Sequence, residues 1–159
     1  QNNMSNKEDK INSYLSFRLG KEIYAANVSR TIKILQLSEI TKVPNAPTNM
    51  IGVINHHGNV LPVIDLNQTF RLSETEKTKN TCIIILSIGQ QDNDQINIGA
   101  IVDEVLNVDE ISNDDISDPP SLGKANSLEH ICGVFKKGDK FIMILDVDKI
   151  FRDIVIEEN

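Results

Sequence analysis

A strand–turn–strand–helix pattern occurs twice in this chain, at residues 51–71 and again at residues 132–152. The two copies align without a gap, and each residue of the second copy stands 81 positions after its match in the first. Hairpins in general share part of such a pattern, but a recurring aspartate and a recurring Phe-Arg pair favour a duplicated unit. The identical pairs are Gly52 and Gly133, Val53 and Val134, Asp65 and Asp146, Phe70 and Phe151, and Arg71 and Arg152.

The first copy predicts two paired strands that are joined by a tight turn and followed by a short helix. Apolar residues fill most of positions 51–54 and 60–64, on either side of the turn. Gly58 can take a positive φ without steric cost, which a hairpin turn usually needs. Asp65 can accept hydrogen bonds from the free N–H groups in the first turn of a helix. Phe70 is expected to pack that helix against the sheet.

Three further strand-like segments precede each copy, and they are either alternating or wholly apolar. With about five strands per unit and little helix, the chain is expected to be an all-β protein made of two small packed barrels. Residues 1–13 and 153–159 are predicted as tails, the first of them disordered, and residues 14–152 as a single domain. Its sub-barrels are placed at about residues 14–72 and 80–152, with a polar linker between them and a possible exchange of strands.

Charge and apolar content restrict the class of protein. The chain has 16 lysine and arginine residues against 23 aspartate and glutamate residues, which gives a formal net charge of −7. Binding to nucleic acid or to an anionic membrane would need a basic face. The apolar runs have the length of strands and are too short to span a bilayer, and the N-terminus has no apolar signal segment. These features predict a globular cytoplasmic protein that neither binds nucleic acid nor inserts into membrane.

No group of residues has the spacing of a catalytic or metal site. A metal needs three or four convergent ligands, whereas His56 and His57 are adjacent and, on a strand, would point to opposite faces. Cys82 and Cys132 lie in apolar runs and are expected to be buried free thiols whose raised pKa disfavours the thiolate. The acidic run at residues 109–118 is expected to be a solvated face. We therefore predict no enzyme, no cofactor and no bound metal.

Several motifs resemble the CheW family of bacterial chemotaxis coupling proteins and together span about residues 14–152. The most specific run goes from Val43-Pro-Asn-Ala-Pro47 through Gly52-Val-Ile-Asn55 to Pro62-Val-Ile-Asp-Leu66. The resemblance implies two packed five-stranded SH3-like barrels and an adaptor without catalysis. It also implies two partners, the cytoplasmic tip of a chemoreceptor and the regulatory domain of the histidine kinase CheA. The adaptor would be a monomer in isolation and would be recruited to receptor arrays at the inner membrane.

The resemblance places partner-binding residues on the third strand, in the following loop and at the tip of the first hairpin. Two of them depart from the family pattern. The family often has Val-x-Glu-Ile on the third strand, where this chain has Lys33 in place of the acid. It usually has Asn-x-Arg-Gly at the hairpin tip, where this chain has His57 in place of the arginine. The predicted partner-binding residues are Ile32, Lys33, Ile34, Val43, Asn55, His57 and Gly58.

These departures leave two alternative functions open. One is a divergent scaffold of a non-flagellar motility system or of another two-component pathway. The other is an SH3-like peptide-binding module, which would need an aromatic-lined groove. The chain has two tyrosines, five phenylalanines and no tryptophan, so the sequence offers little from which to build that groove.

Overall fold

The computed structural model of the protein describes residues 10–46, 50–71, 73–89, 95–119 and 129–150. Within these residues most of the regular structure is β-strand, which confirms the predicted all-β class. A short helix, α1 (Leu66–Arg71), follows the fifth strand, and residues 147–150 are helical after the last strand. The strands are β1 Ile11–Leu19, β2 Glu22–Asn27, β3 Thr31–Gln36, β4 Met50–His56, β5 Asn59–Asp65, β6 Cys82–Ile88, β7 Ile96–Val102, β8 Glu104–Ser112, β9 Ile116–Ser117, β10 Ile131–Lys137 and β11 Lys140–Leu145.

The described strands form two sheets that interleave the two halves of the chain. The first lobe is the five-stranded sheet with the order β3-β6-β7-β5-β4, and the second lobe is the six-stranded sheet with the order β8-β1-β2-β11-β10-β9. The first lobe contains the hairpin β6–β7 from the second half of the chain, held by the parallel pairing of β7 with β5. The second lobe contains the hairpin β1–β2 from the first half, held by the parallel pairing of β2 with β11. The sheets do not divide into residues 14–72 and 80–152, and the strand exchange is reciprocal.

The predicted duplication of the hairpin is confirmed by the register of the strands. Both turns have two residues between the strands, and both hairpins contain an irregularity two residues before the valine that the two copies share. The parallel pairing of the exchanged hairpin repeats as well. Phe151 and Arg152, which complete the second copy in the sequence, lie outside the described residues. The matching pairs are Val53 opposite Pro62 and Val134 opposite Met143, and Val63 opposite Gly99 and Ile144 opposite Ala25.

Among the residues that the structure describes, the alternation of side chains along the strands gives three apolar clusters. On β6, Ile83 and Ile85 point into the interior of the first lobe, where they pack with Val63 and Ile101. A separate cluster fills the interior of the second lobe around Tyr14, Ile111, Ile142 and Ile144. The largest cluster lies between the lobes and contains Ile84 and Leu86 from β6 together with side chains from β1 and β2. Strand β6 is buried on both faces, as its continuous apolar run predicts.

The structure also differs from the sequence predictions in the N-terminal tail, in the linker and at Cys132. Strand β1 begins at Ile11 and pairs with β8 from its first residue, so residues 11–13 are not part of a disordered tail. The predicted linker is attached to the domain, because Thr75 is buried. Cys132 is exposed rather than buried, while Cys82 is half-buried, and both are free thiols. Residues 1–9 and the predicted C-terminal tail lie outside the described residues.

Candidate partner-binding surface

A buried carboxylate fixes the base of the first hairpin. The Oδ1 atom of Asp65 accepts hydrogen bonds from the backbone N–H groups of Asn67 at 2.9 Å and Gln68 at 3.4 Å, which caps α1 as predicted. The same side chain accepts from the backbone N–H of Thr75 at 2.8 Å and from the Thr75 hydroxyl at 2.6 Å. The end of β5, the start of α1 and the segment after it are therefore tied together at one point.

The tip of the first hairpin is a two-residue turn in which both residues have a positive φ. The φ angles are 53° at His57 and 82° at Gly58, and such a pair matches the right-handed twist of the flanking strands. The Oδ1 atom of Asn55 accepts a hydrogen bond from the backbone N–H of Gly58 at 3.0 Å. Asn55 thus holds the turn closed, while the side chains of His57 and of its neighbour His56 project from it.

The two imidazole rings lie against each other, contrary to the expectation that they point to opposite faces. Their centroids are 4.1 Å apart in an edge-to-face arrangement. The alternation of strand side chains fails here because His57 belongs to the turn and has a left-handed conformation. Partial burial lowers the pKa of His56, and the neighbouring charges of His57 and Lys33 lower it further. Lys33 on β3 therefore lies near enough to the hairpin tip to act on it electrostatically.

Strand β3 is one edge of the first lobe and carries the exposed apolar side chains of this surface. Ile32 is 54% exposed and Ile34 is 45% exposed, and Lys33 between them is also exposed. An open groove of about 500 Å³ continues from Ile34 and is lined on its other side by residues 78–82. We call Ile32, Lys33 and Ile34 of β3, together with His56 and His57 of the hairpin tip, the first-lobe surface. His56 is half-buried and the other four are exposed.

The structure places every predicted partner-binding residue at the protein surface. Ile32, Lys33, Ile34, Asn55, His57, Gly58 and Val43 are all exposed. Val43 lies in the loop that leads to β4, two residues after Thr41, which is bridged to Val53. Sequence reasoning missed Val60, which is 67% exposed next to the turn. The repeat draws attention to this position, because its match in the second copy is also a large apolar residue, Phe141, which is 59% exposed.

The described side chains have few features of a metal site or of a nucleophilic site. No group of three or more His, Cys, Asp or Glu side chains that could hold a metal occurs among the described residues. Desolvation raises the thiol pKa of Cys82, and it raises that of Cys132 together with the nearby charge of Asp146. Both thiols are thereby poor nucleophiles at neutral pH. No helix among residues 10–46, 50–71, 73–89, 95–119 and 129–150 is long and apolar enough to cross a membrane.

Comparison with known proteins identifies the family. The model of the CheW-like domain family matches residues 13–155. The chemotaxis protein CheW of Helicobacter pylori is 30% identical over 151 residues, covering 93% of this chain and 87% of that protein. The CheW of Bacillus subtilis is 32% identical over 131 residues, covering 82% of this chain and 80% of that protein.

A solved structure agrees with this assignment. The scaffolding protein TtCheW from Thermoanaerobacter tengcongensis superposes with a TM-score of 0.77 at 30% sequence identity, and the match covers 89% of this chain and 88% of that one. The two interleaved sheets described above are thus a fold that is already represented by a scaffolding protein. The chain belongs to the CheW-like domain family and is a chemotaxis adaptor without catalytic activity.

Proposed function

We propose that this adaptor couples the cytoplasmic tip of a chemoreceptor to the regulatory domain of the histidine kinase CheA, at receptor arrays on the inner membrane. The observation that carries the proposal is the pair of exposed isoleucines on edge strand β3, Ile32 at 54% and Ile34 at 45%. Apolar side chains that are exposed together at the surface of a folded domain are typical of a site that is covered by a partner. The two partners are those that the resemblance to the CheW family implies.

The rest of the first-lobe surface is suited to the rim of such an interface. Protein interfaces usually have an apolar centre and a polar border that sets orientation and suppresses wrong partners. Here Lys33 lies between the two isoleucines on β3, and its charge acts on His56 at the hairpin tip. The hydrogen bond from Gly58 to Asn55 and the buried carboxylate of Asp65 keep the hairpin tip in one geometry. A rigid tip reduces the entropy that is lost on binding.

The experiment is a binding assay with the full chain, the purified kinase regulatory domain and a receptor cytoplasmic fragment from the same bacterium. Replacing Ile34 by Ser removes apolar contact area from the centre of the surface. We expect the dissociation constant for at least one partner to rise about tenfold, which corresponds to about 1.4 kcal/mol. Biolayer interferometry or calorimetry measures it.

Ile96→Ser is the matched control, because Ile96 begins a strand of the same sheet and is 42% exposed, close to the 45% of Ile34. It should leave both affinities unchanged. Equal losses for the two variants would contradict a specific role of β3, and failure of wild-type protein to bind either partner would contradict the proposed function itself.

A further inference from the structure

Strand β3, which carries part of the first-lobe surface, is held by few contacts of its own side chains. It is an edge strand that pairs with β6 on one side. None of its six residues is buried, and Leu35, near its end, packs partly against the first-lobe core. The pairing with β6 is irregular between Thr31 and Lys33. The position of the start of the strand therefore depends on contacts made outside it.

Arg30, the residue immediately before β3, makes such a contact. Its Nη1 atom donates to Oδ2 of Asp148 at 3.2 Å, and its Nη2 atom donates to Oδ1 of the same carboxylate. Nη2 also donates to the carbonyl oxygen of Gly89 at 3.0 Å, and the backbone N–H of Gly89 donates to Oδ1 of Asp148 at 2.9 Å. A bidentate pair of this kind fixes orientation as well as distance. The guanidinium thus joins the start of β3 to the end of β6 and to the helical residues that follow β11.

The repeat contains a matching arrangement, which separates this ion pair from an incidental surface pair of little energetic value. Asp148 matches Asn67, and each is the second residue of its helix. The Nδ2 atom of Asn67 donates to Oδ2 of Asp103 at 3.0 Å, and that oxygen also accepts from the backbone N–H of Gly20 at 2.6 Å. Asp103 lies where the chain passes from the first lobe to the second, and Arg30 lies where it passes from the second to the first. Both passages are therefore tied to a helix and to the glycine that follows a strand.

We propose that Arg30 and Asp148 are positioning residues of the first-lobe surface: their ion pair holds the start of β3, and with it Ile32 and Lys33, in the geometry that a partner recognises. The inference rests on the proposed function, because it concerns how that same surface is held. Neither charged group has to touch the partner. Without the ion pair the start of β3 is free to move, and a partner then has to order it at an entropic cost.

The first test uses the free chain and needs no partner. Arg30→Gln and Asp148→Asn each remove one charge of the pair, and asparagine keeps an oxygen that can accept from Gly89. NMR relaxation of the full chain should show the order parameters of residues 31–33 falling from about 0.85, the value of a rigid backbone, towards about 0.6. Arg30→Lys should restore part of this order, since it keeps the charge and loses the planar fork.

Asp109→Asn is the matched control. Asp109 is paired with Lys137 at 2.9 Å within the second lobe, and its side chain is 23% exposed, close to the 20% of Asp148. The substitution removes a carboxylate from an ion pair of similar exposure that does not reach β3. The order parameters of residues 31–33 should therefore stay at their wild-type values.

The second test measures binding by titration calorimetry, with the partner whose affinity Ile34→Ser lowers. Arg30→Gln and Asp148→Asn should each weaken binding several-fold, and the double variant should be no weaker than the weaker of the two. Such non-additivity is expected of two residues that act as one pair. If Arg30 instead contacted the partner directly, Asp148→Asn would have little effect or the two losses would add.

Each outcome decides between the two levels of the argument. Unchanged order of residues 31–33 in Arg30→Gln and Asp148→Asn would overturn the positioning role, whether or not a partner binds. A loosened β3 with unchanged affinity, or losses of affinity that add, would overturn it while leaving the proposed function intact. Failure of the wild-type chain to bind either partner would overturn both. A loosened β3 together with non-additive losses, both absent from Asp109→Asn, would establish the role.

Discussion

Two matched glycines in the repeated hairpins meet different surroundings. A Cβ atom at Gly52 would stand 2.3 Å from the backbone carbonyl oxygen of Thr41, and the residue has a φ of 157°. A Cβ atom at Gly133 would instead stand 2.5 Å from the Cγ2 atom of Ile116, a side-chain atom on a two-residue edge strand. A carbonyl in a β-bridge cannot move without breaking its hydrogen bonds, whereas a side chain on an edge strand can turn away.

Gly52→Ala should therefore destabilise the protein more than Gly133→Ala. Overpacking typically costs about 1–3 kcal/mol, and we expect Gly52→Ala at the upper end of that range and Gly133→Ala at the lower end. Urea denaturation of both variants gives the two free energies of unfolding. Equal losses would mean that the bridge between Thr41 and Val53 is not the reason for glycine at this position.

At single residues, the helix cap and the glycine of the turn were predictable, but the left-handed conformation of His57 was not. The cap at Asp65 and the positive φ of Gly58 follow from residue type and from neighbours within a few positions. The contact between His56 and His57 could not be derived by treating the segment as a strand, because it depends on His57 being the first residue of a two-residue turn. The exposure of Cys132 likewise depends on which strands cover its face of the sheet.

The two short helices of the repeat show how the same cap can differ in importance. Asp65 is buried and receives four hydrogen bonds, two from α1 and two from Thr75. Asp146 is half-buried, and its side chain accepts from the backbone N–H of Lys149 at 3.1 Å. Residues 73–80 were predicted as a linker because of their polar composition. Their attachment to the domain through buried Thr75 could not be predicted, since a single hydrogen-bonded threonine leaves no signal in the sequence.

Asp65→Ala should accordingly cost more stability than Asp146→Ala. Loss of a helix cap costs about 1 kcal/mol, and a buried donor left without a partner adds about 1–3 kcal/mol. We expect about 3 kcal/mol for Asp65→Ala and about 1 kcal/mol for Asp146→Ala. Hydrogen exchange adds a regional test: Asp65→Ala should expose the amide of Thr75, while Asp146→Ala leaves it protected. If the Thr75 amide had the same protection in both variants, the anchor at Thr75 would not depend on Asp65.

For the whole molecule, the exchanged hairpins make each lobe dependent on both halves of the chain. Among the described strands, four pairings cross between the halves: β1 with β8, β2 with β11, β3 with β6 and β5 with β7. Arg30, in the turn between β2 and β3, adds a further tie, because its guanidinium is ion-paired with Asp148 and donates to the carbonyl of Gly89 at 3.0 Å. The sequence could reveal the duplication but not this pairing, since parallel contacts between distant strands leave no local pattern.

The last prediction concerns the two halves as separate polypeptides. Residues 1–72 alone retain only the β1–β2 and β4–β5 ladders among the pairings of the described strands, and isolated hairpins are marginally stable in water. Residues 73–159 lose the first-half partners of β6, β7, β8 and β11 in the same way. Each fragment should therefore give a poorly dispersed amide NMR spectrum and no cooperative thermal transition. An equimolar mixture should recover both, because the cores inside and between the lobes can then form. A fragment that folds cooperatively by itself would show that the lobes are independent and that the interleaved sheets are not what makes the molecule a single unit.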